Sequence, residues 1–177
     1  HKVVPKRRQW GQQKYETLTK GGNIMDIMVL KSQQWMNDTY GGDSRYTKVA
    51  EDGATGWGTI NGLIIALQIE LGMAETAAVI GPTTRGKFNA KYPGGITRQA
   101  ADDTDTDNVH SIIQCALWCK GYYAETGSIT GYYKGQSADS VEELKADMGS
   151  PAVYEAVCTA FGLRRNRSHK RNPADHQ

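Results

Sequence analysis

Three carboxylates are the first residues to weigh for chemistry: Glu51 and Asp52 side by side, and Glu70 further on. Breaking a glycosidic bond needs two such groups held across a cleft, one as acid and one as base or nucleophile. The short helices around them give no sign of a deep groove, and no serine, histidine and acid set accompanies them. Of the histidines His1, His110, His169 and His176, three lie near the ends of the chain, so an amidase-type metal site lacks ligands. Cys115 and Cys119 stand four apart on one helix face, but a closed zinc site needs four ligands and His110 projects elsewhere. Both are read as buried thiols, with Cys158 able to approach them. Asp103, Asp105 and Asp107 copy the start of a calcium loop, yet Asn108 and Gln114 stand where its glycine and distal glutamate belong. The expectation is no catalytic residue, no metal and no cofactor.

Recognition without chemistry is better supplied. Flat apolar faces beside hydroxyl, amide and carboxylate groups suit a glycan, which offers C–H patches ringed by hydroxyls. Trp35, Tyr40, Tyr46 and Trp57 gather around one long loop, and Trp118, Tyr122, Tyr123, Tyr132 and Tyr133 around a second. These nine are the candidate ligand-binding residues. The competing reading is that Trp35, Trp57 and Trp118 complete small cores poor in other large side chains. The tyrosine pairs are expected to lie exposed, because adjacent residues cannot both face one core.

The elements that would position these residues read as helices. Val29, Leu30, Gln33 and Met36 recur at helical spacing up to Tyr40-Gly41-Gly42. Ile60, Leu63, Ile64, Leu67 and Leu71 form a second stripe closed by Gly72, with Ile65 and Ile69 on another apolar face that must find a partner. A third helix opens at Gly81-Pro82 and runs through Phe88. After the acidic linker 101–107 the plan recurs more faintly. Val109, Ile112, Ile113, Ala116 and Leu117 form a helix closed by Gly121; Asp139 and Glu142 read as a capping box opening another. Ser150-Pro151 opens the last, with Val153, Tyr154, Val157 and Phe161. The fold class expected is all-α, two small three-helix units in tandem with flexible basic termini. Each is near the lower size limit for an independent core, so the two should lean on each other.

Charge marks the boundaries. Residues 1–24 carry six Lys/Arg against one acid and residues 164–177 five against one, so residues 25–163 are net −7. An acidic body argues against nucleic acid as partner, and no stretch approaches the roughly 20 apolar residues of a membrane span. No signal peptide is visible in this chain. Residues 1–24 show no sustained period and read as a disordered leader. Because Lys20-Gly21-Gly22 can be encoded by a purine-rich ribosome-binding stretch, translation is expected to start at Met25.

Several of these segments resemble the peptidoglycan-binding domain, a three-helix wall module appended to lytic enzymes. The carrying residues are Val29 to Gln33, Glu51-Asp52-Gly53 with Gly56 and Thr59, Ala66-Leu67-Gln68, and Ile80-Gly81-Pro82-Thr83-Thr84. Gly56-Trp57, residues 67–72, and Cys119-Lys120-Gly121-Tyr122 are similar to the paired wall-binding region that accompanies glycoside-hydrolase-like domains of Gram-positive bacterial and phage lysins. The resemblance implies unit one over 25–92, a linker over 93–107, a degenerate unit two over 108–163, and a disordered tail over 164–177. It further implies a module that binds peptidoglycan and targets a linked hydrolase, located outside the cell, in the wall, or released from a phage at lysis. Two alternatives stand beside it. One is a helical module docking on an absent catalytic domain through Ile65 and Ile69; the other is a small lysin with an unrecognised site.

Overall fold

The computed structural model describes residues 17–20, 23–122 and 128–148. The expected helix after Ser150-Pro151, Tyr123, Cys158 and the basic tail lie outside the described residues. Strands β1 (Thr17–Lys20) and β2 (Asn23–Asp26) pair antiparallel, Lys20 opposite Asn23 and Thr17 opposite Asp26. Five helices follow: α1 (Ile27–Tyr40), α2 (Trp57–Glu70), α3 (Pro82–Lys91), α4 (Asn108–Cys119) and α5 (Gly135–Met148). The five helices agree with the all-α expectation, and the short hairpin before them is an addition to it. Strands of four residues are too short to show a period, while Gly21-Gly22 between two short runs is an ordinary hairpin signal.

Local chemistry explains the helix ends. Asp26 caps α1, its Oδ1 accepting from the N–H groups of Met28 and Val29 at 2.8 and 3.3 Å; Asp107 caps α4 in the same way through Val109 at 2.8 Å. Pro82 occupies the first turn of α3, where its missing N–H costs nothing. α2 and α4 close alike: Met73 N–H donates to the Gln68 carbonyl at 3.0 Å, and Tyr122 N–H to the Leu117 carbonyl at 2.8 Å. Both are the bonds of a helix running into a left-handed glycine.

α1, α2 and α4 pack mutually, and α5 packs on α4. Residues 109–118 of α4 are all buried, so this helix fills the centre. One apolar cluster runs from Met36 and Tyr40 through Leu63, Ile64 and Leu67 to Ile112, Leu117, Val141 and Leu144. The helices assigned to two units thus share one core. Ile65 and Ile69, the second apolar face of α2, are half-buried against that cluster, which is where their partner lies.

α5 corrects the capping-box expectation. It begins at Gly135, four residues before Asp139, whose carboxylate pairs instead with Arg98 at 2.5 Å. Among the described residues no helix is long and apolar enough to cross a membrane.

Candidate functional site

The long loop between α1 and α2 is built on two buried carboxamides of α1. Gln33 Nε2 donates to Asp52 Oδ1 (2.9 Å), the Ala54 carbonyl (3.1 Å) and Thr59 Oγ1 (2.9 Å). Its Oε1 accepts from the N–H groups of Asp52 and Gly53 at 3.0 and 2.8 Å. One turn later Asn37 Nδ2 donates to the Val49 carbonyl and Glu51 Oε1 at 2.9 and 2.8 Å, and its Oδ1 accepts from Val49 N–H and the Tyr46 hydroxyl. Polar groups this deep must be matched or they cost stability, and here the matching fixes the loop's shape. Farther along, Arg45 forks onto Asp43 (2.9 and 2.6 Å) and reaches the Met73 carbonyl, and its hydrogen bonds pull the Asp43 carboxyl down to about 2.

Glu51 and Asp52 are therefore acceptors in this scaffold. Ala54 N–H, then Gln33, hold Asp52 below the usual carboxylate range. Glu70 accepts from the Tyr40 hydroxyl at 2.7 Å and from Asn108 Nδ2 at 2.8 Å, tying α2 to α1 and α4.

Of the nine aromatic candidates eight are described, and they separate sharply; Tyr122 and Tyr133 are buried where the tyrosine pairs were expected to be exposed. Tyr40, Tyr46, Trp118, Tyr122 and Tyr133 are buried, so their rings present no face to a ligand; the shared core claims them. Burial, then the Glu70 hydrogen bond, raise the Tyr40 hydroxyl, and burial pushes Tyr46 and Tyr133 each up to about 12. Trp35 is half-buried, edge-on to Tyr40 with ring centres 5.7 Å apart. Tyr132 is half-buried with Lys134 Nζ 4.3 Å from its ring centre. Trp57 alone of the described candidates is largely exposed, at 72%. It begins α2, directly after the clamped loop, behind an N-cap Gly56 that offers no side-chain oxygen.

The other constellations are placed as follows. Cys115 is fully buried and burial raises its thiol; Cys119 is half-buried, pushed by burial up to about 11. Among the described residues no group of three or more His, Cys, Asp or Glu could hold a metal ion. Asp103 accepts from Asp105 N–H, while Asp107 accepts from the Tyr92 hydroxyl at 2.7 Å and pairs with Lys91 at 3.3 Å. Burial alone would raise the Asp107 carboxyl; Tyr92, Val109 N–H and Lys91 outweigh it and hold it low. His110 lies between the rings of Tyr92 and Tyr133, centroids 6.3 and 5.7 Å away, with Nδ1 3.1 Å from the Gly131 carbonyl.

The clamping glutamines went unrecognised among the candidate residues. Gln114 is to the loop after α4 what Gln33 is to the loop after α1: each is the seventh residue beyond its capping aspartate. Gln114 Nε2 donates to the Ser128 carbonyl at 2.6 Å and Oε1 accepts from Thr130 N–H at 3.1 Å. Asp26 N–H donates to the Gly53 carbonyl and Asp107 N–H to that of Gly131, both at 3.0 Å. Gly53 and Gly131 have φ of 64° and 75°, the left-handed region that favours glycine. Asp52 Oδ1 then accepts from Ala54 N–H, as Thr130 Oγ1 does from Tyr132 N–H. Finally α2 and α5 each start four residues past that glycine. The available signal was a polar residue inside an apolar stripe, repeated at one distance from a capping aspartate.

Residues 22–94 match a family model described as the FadG/YbfG, PGDB-like domain, a peptidoglycan-binding-like domain. The chain is 43% identical over 126 residues to uncharacterized protein YbfG of Bacillus subtilis (strain 168), covering 71% of this chain and 16% of that protein. It is 37% identical over 141 residues to uncharacterized protein FadG of the same organism, covering 75% and 23%. It thus spans less than a quarter of the length of either relative. Both alignments are longer than the span of the family match, so the likeness runs beyond residues 22–94. No solved structure matches.

Proposed function

We propose that this chain is a non-catalytic wall-anchoring module that binds peptidoglycan and holds a linked cell-wall hydrolase at its substrate, outside the cell. One observation carries the reading. The peptidoglycan-binding-like match over residues 22–94 contains Trp57, the exposed ring at the mouth of a loop immobilised from below. A rigid loop presenting one flat side chain binds at low entropic cost. Weak sites suffice in such a module, because tethering acts through the effective concentration of the linked enzyme. The non-catalytic part of the reading is supported by the carboxylates: Glu51, Asp52 and Glu70 each accept hydrogen bonds that shape loops and helix contacts.

We further read residues 25–92 and 108–163 as two units of one plan. What supports this is the shared sequence of capping aspartate, clamping glutamine, left-handed glycine and helix start on either side of the linker 93–107.

The test is co-sedimentation of the whole chain with purified sacculi at moderate salt, beside a version lacking the basic ends. Retention of both supports wall anchoring and excludes attraction by the cationic ends. Loss of both to the supernatant overturns it in favour of a docking module, and clearing of the suspension would reveal a lytic enzyme.

A further inference from the structure

The matched geometry of the two halves makes one edge directly comparable. Thr55, Gly56 and Trp57 lead from Gly53 into α2; Tyr133, Lys134 and Gly135 lead from Gly131 into α5.

In the second half this edge is occupied by the chain itself. Gln99 N–H donates to the Tyr133 carbonyl at 2.9 Å, and Tyr133 N–H donates to Gln99 Oε1 at 2.6 Å. Lys134 Nζ donates to the carbonyls of Ala101, at 3.1 Å, and Asp103. Arg98 donates to the Gly135 carbonyl at 3.1 Å and pairs with Asp139. Gln99 Nε2 completes the arrangement on the Asp105 carbonyl at 2.7 Å. Both backbone groups of Tyr133 are thus satisfied by one residue of a peptide lying across it, which contributes an N–H and a side-chain carboxamide.

In the first half the backbone of the same edge is open, although the Thr55 hydroxyl donates to the Cys119 carbonyl at 3.5 Å. Neither backbone group of Thr55 has a hydrogen-bond partner among the described residues, and nothing lies within 4 Å of where a Cβ on Gly56 or Gly58 would stand. Trp57 takes the place of Gly135 and Asn61 that of Asp139. Where the second half has a bare backbone sealed by its own linker, the first has a bare backbone flanked by an exposed indole.

We propose that the edge from Thr55 to Gly58 binds the peptide arm of the wall polymer, much as the second edge binds the chain's own Arg98–Asp105 segment. The ligand class is an extended peptide bearing carboxamide groups, paired to the Thr55 backbone and covered on one side by Trp57. The second edge is closed to it. This rests on the wall-binding reading and narrows it to the peptide arm over the glycan strand. Backbone pairing along a free edge supplies affinity, and a neighbouring side-chain platform supplies selectivity.

The test uses the full chain on intact sacculi and on glycan strands stripped of their peptide arms by an amidase. Trp57→Ala and Thr55→Pro are carried alongside, the latter removing the N–H equivalent to that of Tyr133. Binding to intact sacculi is expected, with affinity for stripped strands lower by about ten-fold or more. Each variant should lose about as much on intact sacculi. Trp57 is exposed, so its replacement leaves the melting midpoint unchanged and keeps the test decisive even if Thr55→Pro disturbs the loop. Equal retention on stripped strands, or unaltered binding by Trp57→Ala, overturns the peptide site while wall anchoring stands. Failure to bind intact sacculi overturns both.

Discussion

A glutamine carboxamide offers two donors and an oxygen with two lone pairs, and Gln33 uses all of this capacity on one loop. Removing it in Gln33→Ala leaves the buried Gly53 N–H without its acceptor and the buried Thr59 hydroxyl without its carboxamide donor, and breaks the bonds to Asp52 and Ala54. Each orphaned group costs about 1–3 kcal/mol, so a loss of about 3 kcal/mol is expected, read from urea unfolding. Gln33→Glu should do nearly as much harm, because a carboxylate cannot donate to Asp52, Ala54 and Thr59. His110 gives a prediction in pH. Burial, the largest cause, lowers its folded pKa, against the opposing pull of Asp107. The unfolded chain therefore binds the proton first. Stability from the neutral imidazole is complete above about pH 7 and declines as pH falls below about 6.5 toward the lowered folded value, where the decline ends. Urea midpoints at pH 7.5 and 5.5 should differ for the wild type and differ less for His110→Gln; an unchanged difference would assign the effect to another group.

At the scale of elements, α1 and α4 test whether matched geometry means matched energetics. Asp26→Ala and Asp107→Ala each remove an N-cap worth about 1 kcal/mol. Asp107 also holds the Tyr92 hydroxyl and Lys91, so its loss should be the larger, with thermal unfolding as the measurement. The two left-handed glycines separate in the same way. Gly53→Ala pays the left-handed penalty of about 1–2 kcal/mol. Gly131→Ala pays it and also brings a Cβ to 3.1 Å from Thr106 Cβ, so its melting temperature should fall by more than the left-handed penalty alone accounts for. α5 shows why its start was misread. Asp139 and Glu142 satisfy a capping pattern locally, but the Gln114 clamp sets where the loop ends, and Arg98 of the linker engages Asp139.

For the whole molecule, α4 is the decisive element. It belongs by sequence to the second half, yet it fills the space between α1 and α2, and burying several of its large apolar side chains contributes roughly 1.5–3 kcal/mol apiece. A fragment of residues 25–92 would expose the faces of α1 and α2 that α4 covers. It is expected to melt without cooperativity, followed by circular dichroism, whereas residues 17–148 should melt in one transition.

The residues by themselves determined α1 to α4, because the information there is local. The stripe of Ile60, Leu63, Ile64 and Leu67, the aspartate caps, Pro82 and the closing glycines all act within one or two turns. They also determined the family resemblance, which the match over residues 22–94 bears out at the level of a peptidoglycan-binding-like domain. Only the tertiary structure decided which rings remain available. Tyr40, Trp118 and Tyr133 look like Trp57 to any reading of composition, and burial depends on what lies opposite: α4 between α1 and α2, and the linker across the edge before α5. The same holds for the glutamines, whose partners lie 14 to 26 residues away. Hydrogen bonds across such distances exist only once the core has brought the loops back, so tertiary packing decided which of these residues are buried in the loop scaffold and which stay exposed.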